Sequence, residues 1–268
     1  MNKAETNQFK QYPWKSFGLF MGIYLISLAL HYPGMLEQAK LYLSIFGETI
    51  QTTPHQMVIS GLIQPILLGV IAIYFGHRYA PKVQLRSLLT EQIENSAPLN
   101  QYTLKNSVPF IVSAAALVAI LELGFDFTFQ NWLPEIFQPQ YAVPTIGQAL
   151  SSIFYSGLAQ EMLLRWGVMT AVIYVLSSKG NKMTEMHQYL GLVFTSILYA
   201  FSQYNAILGY VDLSFIIILR ILLLSGLAGI LFGWLYKTFH FEAAVLSHML
   251  ANILILLGNI VIIKFPSF

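Results

Sequence analysis

The stretch G-L-A-Q-E-M-L-L-R-W-G, residues 157–167, lies inside a long apolar run at about 146–176. It places three polar side chains close together, namely Gln160, Glu161 and Arg165. Ionisable groups inside apolar segments are costly, and they either pair within a helix bundle or mark a functional site. The run therefore predicts a membrane helix whose polar residues have a definite role.

The composition places the whole chain among integral membrane proteins. Of its 268 residues, 56% are hydrophobic and 10% are charged, and the mean hydropathy is +0.62. A soluble domain typically carries about 25% charged residues. The net charge of +2 is spread over loops, so no nucleic-acid partner is expected. The absence of cysteine excludes disulfides, thiolate metal sites and cysteine nucleophiles.

A membrane-spanning helix needs about 20 apolar residues. Seven segments qualify, at about 16–35, 57–76, 108–127, 146–176, 189–209, 212–236 and 240–263. Turn-forming residues are expected to lie in the loops between them: Pro33-Gly34, Pro81, Pro98, Pro134, Pro139 and Pro144. The prediction is an all-α polytopic transmembrane helix bundle of about seven spans, with 1–268 forming a single membrane domain.

Positive charge predicts the orientation of this bundle. If the N-terminus is cytoplasmic, ten Lys and Arg residues fall in inner segments and only Lys40 and Lys264 fall in outer ones. The largest inner segment, about 77–107, is expected to be a solvated connector that contacts anionic lipid heads. Membrane lipids are therefore the first expected partner.

Three polar clusters stand on three of the predicted spans. Glu161 and Arg165 are four residues apart, so they share a helix face and are expected to form an ion pair. The second cluster, 199–205, contains side chains that can hydrogen-bond across helices. In the third, His248 and Asn252 share a face, either as satisfied core residues or as a prepared polar site.

Other charged and small residues have simpler interpretations. Glu122 and Asp126, near the outer end of the third span, are expected to be solvated interface residues. Arg220 lies deeper and needs a partner that the sequence does not name. Glu242 is expected at the inner interface. The spacing Gly229-x-x-x-Gly233 allows close helix approach, and internal packing is its expected use.

The three clusters, in this order, resemble the motifs of the CPBP family of intramembrane proteins, also called the Abi or CAAX-protease-like family. The first family motif is two glutamates, three residues and an arginine, which Gln160-Glu161-Met-Leu-Leu-Arg165 matches except at its first position. The second is Phe, three residues and His, where Phe201-Ser-Gln-Tyr-Asn205 has asparagine for the histidine. The third is matched in full by His248-Met-Leu-Ala-Asn252. The resemblance covers about 145–255, the motif-bearing core.

The resemblance implies a role for each matched position. In proteolytic members the first glutamate and the second-motif histidine activate water, and the third motif stabilises the oxyanion. Those positions correspond here to Gln160, Asn205, His248 and Asn252. An amide accepts no proton from water and is a poor metal ligand, so no metal or cofactor is expected. Neighbouring helical residues point about 100° apart, so Glu161 is expected to face Arg165 as a structural clasp.

Two amides in place of the two bases resemble the lysostaphin-resistance-protein-A-like branch, whose members are regarded as non-proteolytic. This implies a pseudo-protease of the bacterial plasma membrane that binds and positions a membrane partner, such as a peptidoglycan hydrolase of the cell envelope. The alternative is an active CPBP-type intramembrane endopeptidase with an altered catalytic set. A remote alternative is a transporter lined by Gln160, Arg165 and Arg220, although the chain has no duplicated halves.

Overall fold

The computed structural model describes residues 12–46, 51–96, 101–134, 144–178, 183–207 and 214–264, and these contain helices but no strand. The fold is all-α, as predicted. Eight helices follow one another along the described chain: α1 Trp14–Phe46, α2 Pro54–Tyr79, α3 Leu88–Asn95, α4 Gln101–Thr128, α5 146–178, α6 Glu185–Ile207, α7 Phe215–Thr238 and α8 Phe241–Lys264.

Five of these helices are long and apolar enough to cross a membrane. The qualifying segments are Trp14–Ser44, Pro54–Val83, Gln101–Thr128, Phe215–Thr238 and Phe241–Ile263. Large apolar side chains are exposed on their outward faces, as contact with lipid requires. The multi-pass character is therefore confirmed. The predicted count of about seven spans is not, because α5 and α6 are not among the five.

Helix α1 runs through Pro33 and Gly34, so the prediction of a loop at these two residues is wrong. Proline is tolerated in membrane helices because neighbouring groups satisfy the backbone that it frees. Gly34 also has a packing role. A Cβ at Gly34 would lie 3.0 Å from Cβ of Ser151, and one at Gly147 would lie 3.0 Å from Cβ of Pro33. The two residues that suggested a turn instead let α1 approach α5.

Helix α5 is continuous and contains two π-helical segments. It begins at Ile146–Leu150 behind a Thr145–Gln148 capping box. It is then π-helical over Ser151–Ala159 and again over Met162–Met169, before it ends with Thr170–Ser178. Gln160 and Glu161 lie between the two π-helical segments. Such segments are rare and frequently occur at functional sites.

Small residues let the central helices approach one another closely. A Cβ at Gly229 of α7 would lie 2.9 Å from Cα of Ser196 in α6, and one at Gly233 would lie 3.0 Å from Cγ of Leu192. The Gly229-x-x-x-Gly233 spacing is therefore used in internal packing, as expected. Gly226, one turn earlier, has no atom within 4 Å of the position that a Cβ would take.

The segment that contains α3 is docked against the bundle. Glu242, at the start of α8, accepts hydrogen bonds from the backbone N–H groups of Leu88 and Leu89, each at 3.0 Å. The hydroxyl of Ser87 donates to the same carboxylate at 2.5 Å. A carboxylate at a helix N-terminus satisfies free N–H groups and opposes the helix dipole favourably. Glu242 thus caps α3.

A second carboxylate ties α3 to the first helix. Glu94 accepts a hydrogen bond of 2.7 Å from the backbone N–H of Ser16, in the first turn of α1. Leu85 and Leu88 are 2% and 3% exposed. The expectation of a solvated connector is therefore wrong for the described part of this segment. Its acidic residues indicated solvation from sequence alone, whereas Glu94 caps α1 and Glu242 of α8 caps α3.

Candidate functional site

The motif residues of α5 and α8 meet across a close helix contact. A Cβ at Gly157 would lie 2.7 Å from Cγ and 2.9 Å from Cα of Met249, distances that a methyl group cannot occupy. Glycine is therefore required at position 157 for α8 to approach so closely. His248, the neighbour of Met249, comes to the level of Glu161 in consequence.

Glu161 contacts two basic side chains at once. Its Oε1 lies 2.9 Å from Nδ1 of His248, and its Oε2 lies 3.5 Å from Nε of Arg165. Glu161 and Arg165 have no exposed surface, and His248 is 3% exposed. An ionised carboxylate only accepts hydrogen bonds, so Nδ1 of His248 carries the proton in this contact. The three side chains form a closed, buried triad.

The position of Glu161 corrects one expectation and agrees with another. The expected ion pair with Arg165 is present. The expectation that Glu161 serves Arg165 alone, as a structural clasp, is incomplete, since its other carboxylate oxygen is hydrogen-bonded to His248. The angle of about 100° between neighbouring residues of a helix tells only how the Gln160 and Glu161 side chains point relative to each other. It does not say which of the two faces α8, and the helix packing gives that place to Glu161.

Arg165 is held by more than its ion pair. Its Nη2 donates a hydrogen bond of 3.0 Å to the carbonyl oxygen of Gly229 in α7. Its guanidinium carbon lies 5.9 Å from the ring centroid of Tyr199 in α6, within cation–π range. Its Nε and Nη1 have no hydrogen-bond partner among the described residues. A buried guanidinium with so few partners depends on the Glu161 charge.

Each ring nitrogen of His248 has a side-chain hydrogen-bond partner. Its Nε2 lies 3.2 Å from the hydroxyl of Tyr199, and Nδ1 is bound to Glu161. The ring stacks on Phe232 with centroids 4.4 Å apart and an interplanar angle of 19°. In the tautomer that carries its hydrogen on Nδ1, Nε2 accepts a hydrogen bond from the Tyr199 hydroxyl. Both ring nitrogens are therefore occupied by side chains.

Asn252 points to a different level of α5. Its Nδ2 donates a hydrogen bond of 2.6 Å to the backbone carbonyl of Ser152, in the first π-helical segment. His248 and Asn252 share a helix face, as predicted. They nevertheless bind residues nine positions apart on α5, Glu161 and Ser152, and so they do not aim at one common acceptor. The pair fastens α8 to α5 at two heights.

Gln160 lies outside this network. Its Oε1 is buried and has no hydrogen-bond partner in the described parts of the chain. The side chain lines a cavity of about 350 Å³ between α2, α5 and α6, together with Tyr155 and Ser202. The cavity opens at the surface of the helix bundle, where Leu68 and Ile71 of α2 are 46% and 53% exposed. No hydrogen bond joins Gln160 to His248.

The second-motif residues are described only in part. Phe201 lies on α6 and is 58% exposed, so it faces outward and not into the triad. Asn205 lies in the last turn of α6, and its side chain is outside the described residues. Within the cluster 199–205, Tyr199 is the residue that contacts the triad, through its hydroxyl and Nε2 of His248. Phe232 of α7 also contacts the triad, by stacking on the His248 ring. The sequence analysis identified neither residue as part of the site. Tyr199 could have been included, because it is the first residue of the polar stretch 199–205.

A second group of charges connects α4 and α7. Arg220 donates from Nε and Nη2 to the two oxygens of Asp126, at 2.7 and 2.6 Å, and from Nη2 to Glu122 at 3.1 Å. Asp126 is buried. The expectation of solvated interface acids is therefore wrong for Asp126, because shallow depth does not expose a side chain that another helix covers. These two acids are the partners that Arg220 requires.

Comparison with known proteins adds no assignment: no family model, no curated protein and no solved structure matches the chain. Within the described residues, no group of three or more His, Cys, Asp or Glu side chains is placed to hold a metal ion. What the chain does must therefore be argued from the triad, the Arg220 cluster and the cavity themselves.

Proposed function

We propose that the chain is an integral membrane protein of CPBP type whose motif site is catalytically inactive, and which binds and positions a membrane-protein partner. It lies in the bacterial plasma membrane with a cytoplasmic N-terminus and about seven crossings. The partner class is a cell-envelope enzyme such as a peptidoglycan hydrolase. The family, the membrane and the partner class rest on the motif resemblance, and the absence of catalysis at the motif site rests on the geometry of the triad.

The observation that carries the proposal is the state of His248. A general base needs a free basic atom within about 2.6–3.2 Å of the proton that it removes, directly or through one water. Glu161 and Tyr199 occupy both ring nitrogens, and the ring is 3% exposed. Gln160, at the position of the activating glutamate, is an amide and has no basic lone pair at neutral pH. The site is therefore a folded polar core whose described residues include no group free to activate a water molecule.

One observation favours the altered endopeptidase instead. A carboxylate hydrogen-bonded to an imidazole Nδ1 is the arrangement that orients a catalytic histidine in other hydrolases. Glu161 and His248 have this contact at 2.9 Å. In that function Tyr199 would move away from Nε2 to admit a water. The two functions therefore differ in whether Nε2 of His248 becomes accessible.

The test is reversion of the two amides. The wild type and the double variant Gln160→Glu, Asn205→His are purified in detergent and incubated with a randomised peptide library. The proposal expects no cleavage by the wild type. Cleavage by the double variant alone would support the proposal, because it would mean that only the bases are missing. Wild-type cleavage that is lost in His248→Gln overturns the proposal and favours the endopeptidase.

Partner binding is tested separately by photo-crosslinking in native membranes. A benzoylphenylalanine replaces Gly226, which has open space around it on α7, and a control carries it at Val112 on α4, which is 48% exposed. We expect a discrete protein adduct from position 226 that persists in the Gln160→Ala background, since binding does not require the amide. Adducts with lipid only, from both positions, count against a partner on this face.

A further inference from the structure

A serine and a histidine on different helices meet away from the triad. Oγ of Ser151, the first residue of the first π-helical segment of α5, lies 2.5 Å from Nδ1 of His31 in α1. Neither residue belongs to the three polar clusters of the motif resemblance. A hydroxyl within hydrogen-bond reach of an imidazole nitrogen is the minimal arrangement of a nucleophile and its base.

The hydroxyl of Ser151 differs from those of most other helical serines that the structure describes. In membrane helices a serine commonly donates to a carbonyl three or four residues earlier in its own helix. The chain has many such bonds, at Ser27, Ser44, Ser60, Ser152, Ser177, Ser178, Ser196 and Ser202. The recorded partner of Ser151 is instead a ring nitrogen on another helix. Ser107 of α4 also contacts a histidine, with its Oγ 3.1 Å from Nε2 of His240, but its hydroxyl donates to the carbonyl of Leu104 in its own helix as well. Ser247 of α8 donates to the backbone carbonyl of Ile111 on α4.

The imidazole of His31 is held in place by an aromatic ring. Tyr155, one turn after Ser151, stacks on it with ring centroids 4.0 Å apart and an interplanar angle of 6°. The Gly34 contact with Ser151 brings α1 close at the same level. Stacking fixes the ring plane and leaves its edge directed at the hydroxyl. The base is therefore pre-positioned, as general-base catalysis requires.

The surroundings indicate an apolar substrate. Tyr155 also lines the cavity of about 350 Å³, whose other walls include Leu68, Leu163 and Leu164. This cavity opens on the outward face of α2, where apolar side chains are exposed. Tyr155 is thus shared by the wall of this apolar cavity and by the contact with His31.

We propose that Ser151 and His31 form a nucleophile–base pair that takes an acyl group from an ester dissolved in the membrane. Oγ of Ser151 forms a bond to the carbonyl carbon while Nδ1 of His31 takes the Oγ proton. The ester C–O bond then breaks, and His31 returns the proton to the leaving alcohol. Water reverses these steps and releases the carboxylic acid. This activity is independent of the triad and of the function proposed above.

The test uses a phosphonofluoridate probe with a decyl chain on the full-length protein in detergent. Reaction forms an Oγ–P bond, expels fluoride and transfers the hydroxyl proton to His31. We expect one adduct, located at Ser151 by peptide mass, and at least a 100-fold slower reaction in His31→Gln, as loss of a general base implies. The matched control is Ser152→Ala, whose hydroxyl bonds only within its own helix and which should react at the wild-type rate.

Thermal melting in detergent establishes that each variant is folded, and Tyr155→Phe, which keeps the stacked ring, should retain labelling. The absence of a Ser151 adduct in the folded wild type overturns the proposal. So does a reaction rate that is the same in folded His31→Gln. A methyl probe that reacts as fast as the decyl probe overturns the acyl-chain assignment, since a chain in the cavity should speed the reaction at least tenfold.

Discussion

His248 of α8 and Glu161 of α5 are 87 positions apart in sequence, yet their side chains meet at 2.9 Å with almost no exposed surface. The same carboxylate is also paired with Arg165. The buried carboxylate of Glu161 thus connects Arg165 of its own helix to His248 of α8. The stability of the bundle should depend on this acid more than on its neighbour Gln160.

Replacing Glu161 with alanine is expected to destabilise the protein by about 3–5 kcal/mol, because Arg165 would be left as an uncompensated buried charge. The free energy of unfolding is measured by denaturant titration in mixed micelles. Changing Arg165 to methionine in the same chain should recover much of the loss, since an apolar pair does not carry that charge. A single-variant loss below about 1 kcal/mol would mean that the triad contributes little.

The control for this prediction is the adjacent residue. Gln160→Ala removes an amide whose Oε1 has no partner among the described residues, so a change within about 0.5 kcal/mol is expected. Equal losses for Glu161→Ala and Gln160→Ala would contradict the assignment of the structural role to Glu161.

Arg220 is expected to be replaceable by lysine only in part. Its guanidinium binds both oxygens of Asp126 at 2.6 and 2.7 Å, a fork that an ammonium group cannot reproduce. We expect Arg220→Ala to cost about 1.5–3 kcal/mol and Arg220→Lys to cost less. A double-mutant cycle with Asp126→Ala measures the coupling. Zero coupling energy would show that the contact does not stabilise the packing of α4 on α7.

Two glycines of α7 should respond to alanine in opposite ways. At Gly229 the new methyl group would lie 2.9 Å from Cα of Ser196, so overpacking should cost about 1–3 kcal/mol. At Gly226 the space is open, and the better helix propensity of alanine should stabilise by up to about 1 kcal/mol. Melting temperatures of both variants in one detergent test this. A common sign for the two changes would contradict the described packing.

Glu91 of α3 should make stability fall as the pH rises. Burial raises the pKa of its carboxyl above the ordinary value near 4.5, although the nearby Arg86 opposes this. The folded state therefore binds more protons than the unfolded state between the two values. Stability is highest below the unfolded pKa and declines as the pH rises through the folded one. Melting curves of the wild type and Glu91→Gln over pH 4 to 8 measure it, and the variant should show the weaker decline.

The sequence was sufficient for those contacts that lie within one helix. Apolar runs predicted the helices and the membrane class, and the spacing of Glu161 and Arg165 predicted their ion pair. Contacts between helices were not accessible in this way. Asp126 with Arg220, and Glu161 with His248, depend on how far each helix is rotated and shifted against its neighbour. Hydrophobic periodicity does not give that rotation when nearly all faces of a helix are apolar.

Helix ends were also difficult to place, for a related reason. Apolar length measures how much chain can lie in lipid, whereas a helix continues for as long as its backbone is satisfied. Helix α1 thus passes Pro33 and extends to Phe46, beyond the predicted end at about 35. In α3, the polar residues that suggested a loop form a helix because Glu242 caps its N-terminus. Ser87 supplies the local part of this cap, because its Oγ accepts a hydrogen bond from the N–H of Thr90, whereas the Glu242 contacts come from more than 150 residues away.

The Glu242 cap also bears on the order in which the protein is made. Helix α3 leaves the ribosome early, but the carboxylate that satisfies its first N–H groups belongs to the last helix, α8. Helix α3 in turn holds the start of α1 through Glu94. The contacts at the N-terminus of α3 are therefore complete only after Glu242 has been synthesised. A nascent chain arrested before residue 241 would lack the Glu242 contacts at the N-terminus of α3 and would hold that helix only through its contacts with α1.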